Sequence, residues 1–347
     1  MTVSTVEDAR EQRVRLLDRV ENRLDGLLAH ERERWAYVDP RAAAPIGDIA
    51  ALVSAGGKRL RPTFCLLGHL AAGGSPTSSL IVDCAAGLEL IHVGALIHDD
   101  VLDAAETRRG APTAHVRRIR EHNDNGWKGE ARRYGEGTAI LAGDLADILA
   151  DRLTAGLPVQ ARPVWNELLT EIIIGQHLDV AVAAESLVDP EISRWIAVCK
   201  SGRYSIHRPL LLGAAVTGRE DLAPAFEAYG EALGEAFQLR DDLIDAFGDS
   251  DVAGKPVGLD LEQHKMTLLL SLAAEQDPEV RSLIEKPRWD LPRLQDRLES
   301  TGVGQVVEER IDHLVDSAVG ALQGAGLGAP WRSELTALAH EVAYRSR

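Results

Sequence analysis

The chain has 347 residues, 45% of them hydrophobic and 27% charged, enough apolar material for a substantial core and too ordinary a mixture for a disordered or fibrous chain. Its formal charge of −16 repels phosphodiester backbones and anionic lipid, which weighs against nucleic acid or a membrane surface as its partner. The three cysteines, Cys65, Cys84 and Cys199, lack C-x-x-C spacing and read as reduced, buried thiols rather than a zinc or redox site.

Glu7, Asp8, Arg10, Glu11 and Arg13 stand where a signal peptide would need an apolar core. No later stretch is an uninterrupted apolar run long enough to span a bilayer, so a cytoplasmic protein without membrane insertion is expected. Residues 1–40 read as a charged N-terminal helix with an apolar stripe of Val14, Leu16, Leu17, Val20, Leu24, Leu27 and Leu28. Apolar runs with helical spacing follow at 59–72, 79–105, 137–154, 162–184, 190–214, 222–247, 263–275 and 304–322, punctuated by Gly, Pro and Asp clusters. The polar stretch 121–136 reads as a surface loop, and its Asn125-Gly126 pair has no alternating runs beside it to make a hairpin. Residues 249–264, rich in glycine and charge, read as a flap. The fold class predicted is all-α, a single-domain bundle spanning 1–347 with roughly ten or more helices.

Two segments carry the same carboxylate pattern. Asp99, Asp100 and Asp103 form one DDxxD triplet, and Asp241, Asp242 and Asp245 form another. On a helix the first and last members of each triplet lie one above the other. Leu96, Ile97, Val101 and Leu102 flank the first, and Phe237, Leu239, Leu243 and Ile244 flank the second. Like charges on such apolar helices repel unless a cation neutralises them. Oxygen donors without cysteine point to Mg²⁺, which commonly bridges carboxylates to substrate phosphates, and so to a diphosphate substrate.

An acidic protein that handles an anion needs local positive charge. GGKRLRP at residues 56–62, Arg108-Arg109-Gly110, Lys200, Lys255 and Lys265 supply it, with Lys200 set in an apolar run that would make an unpaired ammonium costly outside a polar cavity. His98 reads as a packed neighbour of the first triplet, and His92 as a hydrogen-bond donor to phosphate.

These motifs, with RRGAPTAH, AILAGDL, GQHLDV, EAFQLRDDLID and GKPVGLD between about Gly56 and Thr267, occur in an order that resembles the trans-type isoprenyl diphosphate synthases (polyprenyl synthetases), most of all geranylgeranyl diphosphate synthases. The resemblance implies an isoprenoid synthase fold, a homodimer in which the triplets face each other across a central cavity, and about three Mg²⁺ ions per site. It implies Asp99, Asp103 and Asp241 as principal metal ligands, with Asp100, Asp242 and Asp245 binding directly or through water. It assigns Lys58, Arg61, His92 and Arg109 to isopentenyl diphosphate. Arg108, Lys200, Ser201, Gln238, Lys255 and Lys265 go to the allylic diphosphate, with Gln176 and Asp179 lining the same cavity. Ser201 stands where the family has Thr, and His264 precedes Lys265 where the family has Gly.

The reaction implied is departure of diphosphate from an allylic substrate, followed by attack of the isopentenyl double bond on the allylic cation. The released diphosphate takes the proton. Gly94 and Ala95, one turn upstream of the first triplet, leave a product tunnel open as far as Ile91 and Leu88, which gives twenty carbons as the expected product; fifteen, or twenty-five and more, stay open. A terpene cyclase or a non-catalytic subunit is the alternative, opposed by the isopentenyl cluster and by both triplets being intact.

Overall fold

A computed structural model describes residues 5–185, 187–248, 258–286 and 288–345, without the side chains of Ser201 and Leu259. The helices in chain order are α1 (Val6–Val38), α2 (Ala44–Ser54), α3 (Leu60–Ala71), α4 (Ser79–Leu102), α5 (Ala114–Asp124), α6 (Ala131–Thr154), α7 (Arg162–Glu185), α8 (Pro190–Ala197), α9 (Arg208–Thr217) and α10 (Ala223–Phe247). They continue as α11 (Leu259–Glu262), α12 (Leu268–Gln276), α13 (Pro278–Ile284), α14 (Leu291–Thr301), α15 (Val303–Ala321) and α16 (Ala329–Ala343). Among the described residues the only strands are β1 (Thr107–Arg108) and β2 (Ala111–Pro112). An all-α fold is therefore what the chain adopts.

The chain forms two compact units. One comprises residues 11–66 and 75–157, the other 67–74 and 158–345 with the start of α1. Each draws on more than one stretch of chain, so no single cut in the sequence divides them.

In the first unit α1 buries Leu16, Val20, Leu24, Leu27 and Leu28, as its spacing predicts, whereas Val14, expected on the same stripe, is exposed. α4 packs along α6 and is the centre of this unit, with Ile81, Cys84, Ala85, Leu88, Leu90 and Ile97 fully buried. α4 is also the one described helix long and apolar enough to cross a membrane by length and composition, but 72% of that window is buried inside the protein. The 121–136 loop is corrected: α5 runs on to Asp124 and α6 starts at Ala131. Arg117 and Arg118 on α5 grip buried Asp48 of α2 at 2.9 and 2.7 Å, an anchorage that local sequence does not show and that holds a polar helix in place.

In the second unit α10 packs against α15 and against the segment 198–207. The single run expected over 190–214 divides into α8, a π-helix over Val198–His207, and α9. The three cysteines are free and buried, as expected.

Candidate active site

In the first unit, the first triplet closes α4. Asp103 is the C-cap, its N–H bonded to the Asp99 carbonyl at 2.8 Å, so these two stand one above the other. Asp100 turns inward and is 1% exposed. Its Oδ1 accepts from Arg108 Nε at 2.6 Å, while Arg108 Nη2 lies 3.7 Å from Asp99 Oδ2. Asp100 Oδ2 is buried without a hydrogen-bond partner. Burial pushes this carboxyl up to about 6, against the opposing pull of Arg108.

Arg108 and Arg109 lie on a hairpin rather than on a continuation of α4. Thr107 pairs with Pro112 and Arg108 with Ala111, leaving Arg109-Gly110 as a two-residue turn with φ of 52° and 76°. Two successive positive φ values suit the right-handed twist of a hairpin. The turn lays Arg109 on the GGKRLRP loop, where its guanidinium bonds the Gly56 carbonyl and, at 3.3 Å, that of Leu52. A Cβ on Gly57 would stand 2.9 Å from Arg109 Nη2, so glycine is what leaves room for the contact. Lys58 is exposed, and Arg61 and His92 are half-buried. Burial first, then the charges of Arg61, Arg109, Arg108 and Arg59, hold His92 well below the ordinary histidine range. The ring is neutral, with one N–H to donate.

Ala95 is half-buried on the Asp99 face of α4, with Ile91 and Leu88 buried below it. Gly94 differs from expectation: it meets α6, where a Cβ would stand 2.7 Å from Asp147 Oδ1 and 3.1 Å from the Gly143 carbonyl. Helix packing accounts for its size, which leaves Ala95, Ile91 and Leu88 as the chain-length candidates. His98 is a packed neighbour as expected, its Nε2 3.1 Å from the Ile140 carbonyl.

In the second unit the π-helix and α10 cross at two glycines. A Cβ on Gly202 would come within 2.8 Å of Gly234 Cα, so neither position admits a side chain. Lys200 precedes this crossing and Gln238 follows it by one turn, and both line a cavity of about 230 Å³ with Asp179, Asp241, Asp242, Asp260 and Lys265. Lys200 Nζ donates to Asp179 Oδ2 at 2.7 Å, the polar surroundings expected of that ammonium. Gln238 Nε2 donates to Asp242 Oδ1 at 2.7 Å, and the Leu269 N–H reaches Asp242 Oδ2 at 3.3 Å. Asp242 is 2% exposed, and burial pushes it up to about 7.

Asp241 is ion-paired with Arg345, whose guanidinium also lies 4.0 Å above the Phe237 ring. Asp245 is buried and its Oδ2 accepts the Asp260 N–H at 3.1 Å. Lys265 Nζ is 3.8 Å from Asp260 Oδ1. His264 has φ 57°, which is the physical reason a glycine suits that place, and its ring packs on Trp289 with centroids 4.6 Å apart. Lys255, most of the 249–264 flap and the Ser201 side chain lie outside the described residues; Gln176 is half-buried on α7.

The arrangement is the same in both units: the middle aspartate is buried and holds a neighbouring polar side chain, Arg108 in one and Gln238 in the other. Sequence placed Asp242 with Asp100 and Asp245 as binding metal directly or through water, and both its oxygens already accept from protein donors. Sequence did not single out Asp260 or Arg345, whose contacts are made only by folding.

Among the described residues no three His, Cys, Asp or Glu side chains gather into a ready metal cage. The donors are nevertheless carboxylate oxygens, one of them orphaned on Asp100, and Asp241 already attracts a cation in Arg345. Such a set fits a small hard cation that keeps waters and shares its shell with phosphate oxygens, as Mg²⁺ does.

The chain matches the family model for polyprenyl synthetase over residues 47–292. It is 34% identical to a short chain isoprenyl diphosphate synthase of Methanothermobacter thermautotrophicus, over 73% of this chain and 74% of that one. It is 29% identical to the octaprenyl diphosphate synthase of Escherichia coli K12, over 85% and 88% of the two chains. The crystal structure of a geranylgeranyl pyrophosphate synthase from Corynebacterium glutamicum, complexed with isoprenyl diphosphate and magnesium, superposes with a TM-score of 0.87 at 34% identity, covering 95% of this chain and 98% of that one. The chain belongs to the polyprenyl synthetase family and is a prenyltransferase of the isoprenyl diphosphate synthase type.

Proposed function

We propose that the protein condenses isopentenyl diphosphate with an allylic diphosphate in a Mg²⁺-dependent reaction, giving an all-trans prenyl diphosphate of twenty carbons. The observation that carries this reading is the repeated arrangement of a triplet with a buried aspartate that holds a polar side chain, accompanied in one unit by a cluster of arginines and His92. Residues 1–347 act as one functional domain.

Asp99, Asp103 and Asp241 would hold the metal. Mg²⁺, when bound, neutralises the diphosphate and stabilises it as a leaving group. In one unit Lys200 and Lys265 line a cavity where fixed positive charge would stabilise a departing diphosphate, and in the other Arg108, steered by Asp100, offers a guanidinium to a diphosphate. Gln238, held by Asp242, presents its amide oxygen to the allylic cation, which needs polar neighbours that do not attack it. Lys58, Arg61, His92 and Arg109 hold the second diphosphate and keep the isopentenyl double bond in reach.

Incubation with Mg²⁺, isopentenyl diphosphate and an allylic primer is expected to give geranylgeranyl diphosphate by mass analysis, with no hydrocarbon release. Prenyl-chain growth that requires isopentenyl diphosphate supports the reading. Cyclic hydrocarbon formed from the allylic primer alone would overturn it.

The working form is a homodimer. α6 leaves Ile140, Leu141 and Ile148 exposed at 44%, 63% and 57%, and α7 leaves Ile173, Ile174 and Val180 exposed at 63%, 46% and 47%. Such apolar stripes on otherwise charged helices suit a second copy of the chain. Leu141→Glu combined with Ile148→Glu is expected to halve the mass read by light scattering; a dimer of unchanged affinity would place the interface elsewhere.

A further inference from the structure

Arg59 stands between Lys58 and Arg61 in the basic loop, yet it does not share their exposure: its side chain is only 6% exposed. Its backbone is left-handed at φ 47°, a conformation costly for a residue with a side chain, which persists only where surrounding contacts enforce it. The contacts are present. Nε and Nη2 bond the two carboxylate oxygens of Glu21 on α1 at 2.6 and 3.1 Å. Nη1 bonds Glu89 of α4, itself 2% exposed, and Nη2 reaches the Val53 carbonyl in the last turn of α2 at 2.7 Å. A guanidinium so committed has little left to offer a substrate. What it does is tie the loop to three helices at once, while Arg109 clamps the same loop through the carbonyl of Gly56 and reaches α2 through that of Leu52.

The charges make the same point. Arg59, Arg61, Arg108 and Arg109 together depress His92, so this corner of the unit carries dense positive charge, and Glu89 and Glu21 are the anions paired with it through Arg59. Without them the guanidinium groups would repel one another and the left-handed turn would lose what enforces it.

We infer that Arg59 is a positioning residue: pinned by Glu21 and Glu89, it fixes the backbone from which Lys58 and Arg61 branch toward the diphosphate of the isopentenyl substrate. α1 belongs to the site through Glu21 and is more than a cover for the core. This rests on the proposed assignment of Lys58, Arg61, His92 and Arg109 to that substrate.

The test uses the full chain with Mg²⁺. Calorimetry measures the Kd of isopentenyl diphosphate without primer, so nothing turns over, and steady-state assays give KM for each substrate and kcat. Arg59→Met keeps the stem and removes the fork. It is expected to raise Kd and KM for isopentenyl diphosphate about ten- to a hundredfold, the scale of a misplacement near 1 Å, while KM for the allylic diphosphate stays within about twofold. Glu21→Gln, a change at a half-exposed carboxylate, is expected to shift the same constant in the same direction by about threefold with melting temperature nearly unchanged. Arg59→Lys keeps the charge without the bidentate fork and is expected not to restore binding. Unchanged isopentenyl diphosphate Kd in Glu21→Gln or Arg59→Met, or both KM values rising together, would overturn the inference; if Arg59→Met does not fold, Glu21→Gln decides. A wild-type chain that binds isopentenyl diphosphate but joins it to nothing would instead overturn the proposed function.

Discussion

Asp99→Ala and Asp241→Ala are each expected to lower turnover by roughly a thousandfold or more, equivalent to about 4 kcal/mol of lost transition-state stabilisation, with circular dichroism and the mass read by light scattering unchanged. Asp99 and Asp241 are half-buried, with side chains 23% and 36% exposed, whereas Asp100 and Asp242 are buried. Removing a half-buried carboxylate disturbs the core less than removing the buried Asp100 or Asp242 would, so the loss falls on chemistry more than on the fold. Asp241 needs one further control. Its partner Arg345 is only 11% exposed, and deleting the carboxylate leaves that cation without its ion pair. Asp241→Asn retains the shape and a hydrogen-bond acceptor, and is expected to lose turnover to a similar degree while melting closer to wild type. Steady-state rates at saturating Mg²⁺ with both substrates check this; near wild-type turnover in both alanine variants would remove the triplets from the mechanism.

The parts of the fold and site that were legible are those written locally. An aspartate at i and another at i+4 land on one face of any helix, so the triplets could be placed from spacing alone. The stripe of α1 and the apolar runs of α4 and α10 are likewise periodic within one element. What sequence missed depends on distant partners. The Arg109-Gly110 turn belongs to strands of two residues each, too short to show alternation. α5 is held through Arg117 and Arg118 by Asp48, about seventy residues away along the chain. The π-helix under Lys200 has no compositional mark; its signal is the pair Gly202 and Gly234, which means nothing until the two helices cross. Gly94 was legible as a small residue but not as one facing α6, because spacing fixes a face relative to its own helix and not relative to the neighbour. His264 is the reverse case: an unusual residue in a left-handed position is made tolerable by Trp289, twenty-five positions downstream.

Ala95→Phe is expected to shorten the product, from the proposed twenty carbons to fifteen or fewer, read by mass analysis of products from each primer. Ala95 is one helical turn before Asp99 on the same face, so a chain growing from a diphosphate held at the triplet passes it first. Ile91 and Leu88 follow one and two turns deeper, roughly 6 and 11 Å along the axis at about 1.5 Å per residue. An extended isoprene unit has a comparable length, so moving the obstruction up from Ile91 to position 95 removes about one unit. The substitution is available because Ala95 is only half-buried, whereas the equivalent change at Gly94 would drive a ring into Asp147 and the Gly143 carbonyl and damage the α4–α6 packing. The two positions therefore separate the effects: Ala95→Phe alters product length with a near-native melting temperature, and Gly94→Phe lowers the melting temperature first. The reciprocal change, Ile91→Ala, opens the next turn and is expected to extend the product beyond twenty carbons. A product distribution indifferent to both Ala95→Phe and Ile91→Ala would mean that the tail grows along another face of α4.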